Sequence, residues 1–152
     1  MTKLSNDDFT QGEHWLERRG FNLRAVLDVR AFPRDLAAAW DQTHIPRIPG
    51  QRLVILGMGG SALWDWMSTQ DLSPDADPFA GVSRCAALEV AERFWGDPTP
   101  RLLYPGDALI PLQQLGRWAG WSVPSPLGLD VSPIFGPWLA FRAAMLTVAA
   151  LP

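Results

Sequence analysis

Hydrophobic and polar positions fall along the chain in blocks that predict helices and strands in turn. The polar, acidic segment 5–8 supplies helix-capping side chains, and the pattern that follows to Arg19 predicts a short helix that Gly20 would end. The run Arg52–Leu56 is apolar on both faces, which predicts a central strand covered on two sides. Strands that alternate with helices in this way indicate a layered α/β fold.

The other predicted elements are shorter or less certain in type. Residues 81–95 predict a helix with one apolar stripe, made by the stem of Arg84 with Leu88, Ala91 and Trp95. The segment 138–148 is apolar enough for a buried strand or a helix, and periodicity does not separate the two. The remaining elements are a strand or a strand and turn at 21–29, a helix after Pro33, a strand at 101–104 and a helix at 110–119.

Length and composition predict a single domain over residues 1–152. Hydrophobic residues make up 47% and charged residues 19%, so the chain is expected to fold. A net charge of -3, with Lys3 as the only lysine, argues against nucleic-acid binding, which needs clustered basic residues. The N-terminus has no apolar signal segment, and the apolar run 136–151 is interrupted by Arg142. We therefore expect a cytoplasmic protein with no membrane partner.

The residues that most often bind metals are few. Cys85 is the only cysteine, which excludes an intrachain disulfide, a cysteine-based zinc site and a self-contained iron–sulfur cluster. His14 and His44 lie in polar surroundings without the spacing of a metal site, so both are expected at the surface. No metal ligands are predicted.

A glycine-rich run follows the strongest predicted strand. Gly57, Gly59, Gly60 and Ser61 stand between Leu56 and a predicted helix, where backbone amides and the helix N-terminus would favour a phosphate. The run resembles the first loop of sugar-isomerase domains, which implies a phosphosugar-binding function. The alternative is a tight turn with close helix packing. On that helix Trp64 and Trp66 lie two residues apart, so one of them is expected at a ligand cleft or a subunit contact of a homodimer.

The most specific pattern lies in the last third of the chain. Gly116-Arg-Trp-Ala-Gly120 is followed by Leu129-Asp-Val-Ser-Pro-Ile-Phe-Gly-Pro-Trp138 and then by Leu146-Thr147. This stretch resembles the cofactor domain of epoxyqueuosine reductases, which show A-G-L-G-W-I-G-K-N, then L-x-x-P-x-[FY]-G-S-W, then a strand ending near L-T. The wider group includes the CblC-type cobalamin-processing proteins and shares a nitroreductase-like fold.

The resemblance implies a fold, a cofactor and a set of site residues. The expected fold is a layered nitroreductase-like α/β domain with a central mixed sheet flanked by helices. The expected cofactor is cobalamin, a corrinoid held by backbone and apolar side chains without a histidine ligand. The residues that would bound the corrinoid are Gly120, Trp121, Ser122, Ser125, Leu127, Pro133, Phe135, Gly136 and Trp138.

The sequence also departs from the family where the chemistry lies. Ser125-Pro126-Leu127 replaces the family's Gly-Lys-Asn, and Gly106 stands where the family has its catalytic Asp, so the neighbouring Asp107 is the candidate proton donor. Without an iron–sulfur cluster, an enzyme of this kind, a cobalamin-linked reductase or dealkylase, would need an external reductase or other electron donor. The alternative hypothesis is a non-enzymatic interaction or regulatory protein on the same fold, with a cofactor site that has decayed.

Overall fold

Helices and strands follow one another along the chain, and the computed structural model describes residues 4–70 and 78–152. The helices are α1 (Asn6–Arg18), α2 (Arg34–Asp41), α3 (Ala62–Met67), α4 (Pro78–Arg93) and α5 (Leu112–Trp118), with a single 3-10 turn at Val29–Ala31. The strands are β1 (Leu23–Asp28), β2 (Arg52–Gly59), β3 (Arg101–Tyr104), β4 (Val123–Pro124), β5 (Asp130–Val131) and β6 (Leu139–Thr147).

Four strands form the central sheet in the order β1-β2-β6-β3, and β4 pairs with β5 in a separate small hairpin. Every strand pairing in both sheets is antiparallel. The α/β fold class is therefore confirmed, whereas the expectation of a mixed sheet is wrong. Alternating elements indicate layers, but burial on both faces does not reveal the direction of a strand's neighbours.

The sheet is covered by helices on both faces, so its two central strands are buried on both sides. On one face Val54 and Leu56 of β2 pack in a core with α1, α3 and α4. On the other face Leu53 and Ile55 pack in a second core with α2 and α5. This alternation explains why the apolar run at 52–56 marks the central strand.

Helix α1 begins and ends as its sequence indicates. The Ser5 side chain accepts a hydrogen bond from the Asp8 amide (3.1 Å), and Asp7 and Asp8 place negative charge in the first turn. Gly20 follows the helix with φ +90°, a conformation that residues with a side chain rarely adopt.

Helix α4 buries a different face from the predicted one. Its buried positions are Ser83, Ala86, Ala87, Val90 and Ala91. Arg84 and Leu88, which were expected in the apolar stripe, are exposed, and only Ala91 and Trp95 of that stripe are buried. The buried face consists of small residues because the helix packs closely on β6, and hydrophobicity alone gives small residues little weight.

The segment 138–148, predicted as strand or helix, contains the strand β6. Its pairing with β2 shifts between Leu56 and Gly57, since Leu56 faces Ala143 whereas Gly57 faces Phe141. The extra residue in this bulge is Arg142, whose guanidinium lies 4.4 Å from the ring centre of Phe79 on α4. The bulge thus directs a charged side chain to the start of α4.

The chain segment between α4 and β3 is tied to the end of β6 by a buried carboxylate. Thr147 Oγ1 donates to Asp97 Oδ2 (2.6 Å), and the Thr99 amide donates to Asp97 Oδ1 (3.0 Å). Both Asp97 and Thr147 are buried, so these bonds satisfy groups that water does not reach. Within residues 4–70 and 78–152, no helix is long and apolar enough to cross a membrane.

Candidate functional site

Most of the glycine run 57–60 belongs to strand β2, whereas a loop was predicted there. Strand β2 continues through Gly57 and Gly59, and both of its neighbours are antiparallel. The favourable geometry for phosphate requires a loop between a parallel strand and a helix. The helix that follows, α3, has only six residues, and the Ser61 side chain does not cap it.

The backbone groups at this strand end already have partners. The Gly59 amide donates to Asn22 Oδ1 (2.8 Å), and Asn22 Nδ2 donates to the Gly59 carbonyl (3.0 Å). The Gly60 amide donates to the Trp138 carbonyl (2.8 Å). Neither amide is available to a phosphate, so the geometry does not favour a phosphosugar site formed by Gly57, Gly59, Gly60 and Ser61.

The glycines instead leave room for aromatic rings. A Cβ added at Gly57 would lie 2.8 Å from the Trp121 ring, and one added at Gly59 would overlap the Phe135 ring. Trp121 itself stacks on Phe141, with ring centres 5.7 Å apart. The structure therefore shows close packing at this run, as in the alternative interpretation. The groups packed against the glycines are aromatic rings from the C-terminal third and not a helix.

An aromatic cleft opens beside this strand end, on the face of the sheet that carries α3 and α4. Its lining residues are Met58, Gly60, Ser61, Trp64, Phe79 and Trp138, and we call this set the aromatic cleft. The cleft has a volume of about 530 Å³, within the range of about 300–1,000 Å³ usual for small-molecule sites. The two segments singled out from the sequence, the glycine run and the C-terminal motif, meet here.

The rings of the cleft are accessible. Trp64 is 58% exposed and Trp138 is 72% exposed. Trp64 stacks on Phe79 with ring centres 5.9 Å apart and an interplanar angle of 22°. Trp64 is thus the member of the Trp64/Trp66 pair that lies at a cleft, whereas Trp66 is half-buried beside α1, with Arg19 5.7 Å from its ring centre.

The residues expected to bound a corrinoid are divided between different surroundings. Trp121 and Ser122 are buried on the α2 and α5 side of the sheet, and Trp138 lines the aromatic cleft on the opposite side. Ser125 and Leu127 lie in the turn of the β4–β5 hairpin, where Leu127 is 87% exposed. Gly120, with φ +80°, follows α5 and leads the chain into that hairpin.

The turn after β5 carries the other three of these residues. Ser132 Oγ accepts from the amides of Ile134 and Phe135, and the backbones of Ser132 and Gly136 pair with each other. Gly136 adopts φ +61°, and Pro133 is exposed at the start of the turn. This turn presses the Phe135 ring onto Gly59 and brings Trp138 to the cleft.

The aromatic cleft is a poor match for a corrinoid, and two of the expected corrinoid residues, Trp121 and Phe135, instead pack their rings on Gly57 and Gly59. A corrinoid is larger than the drug-sized ligands that fill a pocket of about 300–1,000 Å³. Its many amide groups would also find few polar partners in the aromatic cleft.

An ion pair holds the β4–β5 hairpin against α5. Arg117 Nε and Nη2 each donate to Asp130 at 2.7 Å, and Ser122 Oγ donates to the same carboxylate at 3.4 Å. The Asp130 side chain is only 6% exposed. The hydrogen bonds from Arg117, followed by its positive charge and the bond from Ser122, hold the pKa of the Asp130 carboxyl below its usual value. Asp130 therefore stays ionised and positions the hairpin.

Asp107, the predicted proton donor, lies elsewhere. It is exposed in the turn after β3 and lines a different cleft, which has no residue in common with the aromatic cleft. The structure thus does not bring Asp107 together with the expected cofactor residues in one cleft.

The residues considered for metal or thiol chemistry are at the surface. His14 and His44 are exposed, as predicted, and Cys85 is exposed on α4. Over residues 4–70 and 78–152, no group of three His, Cys, Asp or Glu side chains could hold a metal ion.

Sequence reasoning missed Met58 and Phe79 as lining residues of the cleft. Met58 stands inside the glycine run, where the pattern of glycines alone does not mark it as a lining residue. Phe79 lies in the first turn of α4, which begins three residues before the predicted helix. The signal that points toward this surface is Trp64, a large ring on the polar side of a short helix.

No protein-family model matches this sequence, and the comparison with curated proteins likewise gave no match. The assignment of function therefore depends on the geometry of the site.

Proposed function

We propose that this protein is a non-enzymatic binding protein that takes a flat, apolar ring of a small molecule into the aromatic cleft. The observation that carries the proposal is the pair of accessible rings, Trp64 and Trp138, beside the stacked ring of Phe79. Aromatic side chains favour flat ligands because they bury a large area and stack in offset geometry. The exposure of these rings in one patch is itself typical of a binding surface.

The lining of the cleft supports binding without catalysis. Met58, Phe79 and the two tryptophans are apolar, and the Ser61 hydroxyl, which donates to Asp65 (3.0 Å), is the polar side chain at the rim. General acid–base chemistry needs a titratable group within hydrogen-bond reach of the reacting atom. Among the described residues, those that line the cleft offer stacking surface rather than such a group.

This proposal is closest to the hypothesis of a non-enzymatic protein on an α/β fold. The relation to the epoxyqueuosine reductase cofactor domain and its nitroreductase-like layering stays a prediction from the C-terminal motif. Cobalamin binding, which is predicted from the same motif, is the competing function.

The test is a titration with N-phenyl-1-naphthylamine, an uncharged dye of flat rings whose fluorescence rises in apolar surroundings. At about 0.3–0.4 kcal/mol per heavy atom, a dye of this size should bind with a Kd of roughly tens to hundreds of micromolar. Trp138→Ala should weaken binding about tenfold, because truncation of an aromatic anchor commonly costs more than about 1 kcal/mol. Ile134→Ala is the matched control, since Ile134 is 83% exposed and does not line the cleft.

A parallel titration with cob(II)alamin, followed by absorbance, separates the two functions. We expect no spectral change at tens of micromolar cofactor. Equal dye affinity in wild type and Trp138→Ala would refute the aromatic cleft as the site. A saturable cobalamin spectrum would overturn the proposal and favour the corrinoid function.

A further inference from the structure

A second cleft lies between the C-terminal end of α2 and the turn that follows β3. It has a volume of about 650 Å³ and is lined by polar and apolar residues in comparable measure. Gln42, Thr43 and Ile45 contribute from the α2 side, and Arg101 and Asp107 from the opposite side. The aromatic cleft shares none of these residues, so this is a separate site.

The two charges in this cleft have opposite signs and do not neutralise each other. Arg101 and Asp107 are both exposed, and they are not within 4.0 Å of each other as an ion pair. In the part of the chain that the structure describes, neither side chain has a hydrogen bond or an ion pair with another residue. Arg117 and Asp130, by contrast, are paired through two bonds of 2.7 Å.

A ligand with both charges would match this arrangement. A guanidinium binds a carboxylate through parallel N–H···O bonds, and an aspartate accepts hydrogen bonds from an ammonium group. The Gln42 amide adds a neutral donor and acceptor in the same cleft.

The apolar part of the cleft indicates the rest of the ligand. Leu109 is 92% exposed, and Ile45 forms the deeper wall at 6% exposure. An aliphatic side chain placed between them would remove apolar surface from water, which is favourable at about 25 cal/mol per Å².

We propose that this cleft binds a free α-amino acid with an aliphatic side chain. Arg101 binds its carboxylate, Asp107 binds its ammonium group, and Ile45 and Leu109 contact its side chain. Asp107 is thereby a binding residue rather than the proton donor that the sequence suggested. This proposal is independent of the function assigned to the aromatic cleft.

The experiment is calorimetric titration with L-leucine, L-leucinamide and N-acetyl-L-leucine. L-leucinamide lacks the carboxylate and N-acetyl-L-leucine lacks the ammonium group, so each analogue removes one of the two ionic contacts. Because both protein charges are exposed to solvent, L-leucine should bind with a Kd on the order of a millimolar. Each analogue should bind at least about fivefold more weakly than L-leucine.

Two variants assign the contacts, and both change exposed side chains that do not support the fold. Arg101→Gln should bind L-leucine and L-leucinamide with equal affinity. Asp107→Asn should bind L-leucine and N-acetyl-L-leucine with equal affinity. Arg84→Gln, which changes an exposed arginine on α4 outside the cleft, should bind all three ligands as the wild type does.

Specific results would overturn the proposal. An absence of saturable heat with L-leucine up to about 20 mM would exclude the site, because the expected Kd lies well below that concentration. Equal binding of all three ligands by the wild type, or unchanged discrimination in both variants, would show that Arg101 and Asp107 do not select the ligand. Trp138→Ala should leave L-leucine binding unchanged, which keeps this test distinct from that of the aromatic cleft.

Discussion

Replacement of Gly59 by alanine tests whether a glycine is needed at this position because the Phe135 ring packs against it. The three atoms nearest to a Cβ at Gly59 all belong to that ring, so the new methyl group would collide first with Phe135. Extra groups forced into packed sites cost about 1–3 kcal/mol. We therefore expect Gly59→Ala to lower the free energy of unfolding by about 2 kcal/mol.

The same substitution should be harmless once the ring is removed. In a Phe135→Ala background the methyl group has space, and replacing glycine restricts the unfolded chain, which stabilises by about 0.4–1 kcal/mol. The difference between the two backgrounds gives a coupling energy of about 2–3 kcal/mol. Urea unfolding of the wild type, the two single variants and the double variant, followed by far-UV circular dichroism, measures this quantity.

Gly60→Ala is the matched control for this cycle. Gly60 has φ +68°, so alanine there is strained by the backbone, while its Cβ would lie 3.6 Å from the Phe135 ring in ordinary contact. Its cost should therefore be the same with and without Phe135. If Gly59→Ala also costs the same in both backgrounds, the packing explanation of the glycine run is refuted.

Two further predictions concern the tryptophans that the sequence assigned to a cofactor and the ion pair of the β4–β5 hairpin. Trp121→Ala should destabilise by about 3–5 kcal/mol because the ring is buried and stacked, whereas Trp138→Ala should stay within about 0.5 kcal/mol of wild type in urea unfolding. Asp130→Asn should lower the free energy of unfolding at pH 7 and should make it depend less on pH in the acid range. The pKa of Asp130 is lowered by Arg117, so its contribution is present above the unfolded-state value of about 3.9 and is lost as the pH falls through the lower folded-state pKa. The difference in urea midpoint between wild type and Asp130→Asn should therefore stay constant from pH 7 to just above the unfolded-state pKa of about 3.9 and narrow as the pH falls below it, and a difference that does not narrow would refute this explanation.

Features that depend only on neighbouring residues could be predicted from the sequence. The strand at 52–56 is apolar on both faces, and the structure covers it on both faces. The ends of α1 follow from Ser5 and Gly20, whose effects are confined to the adjoining turn. The surface positions of His14 and His44 were likewise predicted from their polar neighbours.

Features that depend on distant residues were not predictable. Gly57 and Gly59 suggested a ligand loop because glycine lets backbone amides approach a ligand, and only the rings of Trp121 and Phe135, far along the chain, explain them. The antiparallel direction of β2 and its neighbours was not predictable either, because hydrophobic periodicity indicates which residues are buried and not which strand is the partner. The buried face of α4 was missed because close packing on β6 selects small residues there.

The C-terminal motif contains residues that packing or turn geometry explains and one residue that they do not explain. Trp121 and Phe135 are explained by packing on glycines, and Gly136 by a turn with positive φ. Trp138 is not explained in this way, because most of its ring is exposed at the aromatic cleft. A sequence pattern shows which residues recur together, but only the fold shows which of them face a ligand.

The indole N–H signals of the eight tryptophans, observed by NMR during titration with N-phenyl-1-naphthylamine, show directly whether the dye binds in the aromatic cleft. Each signal reports on one ring and can be assigned by its loss in a single Trp→Phe variant. We expect saturable shifts for Trp64 and Trp138, and none for Trp121 or for Trp40, whose indole donates to the buried Ile45 carbonyl (3.1 Å). Shifts centred on Trp121, with Trp64 and Trp138 unchanged, would place the ligand on the opposite face of the sheet and contradict the account.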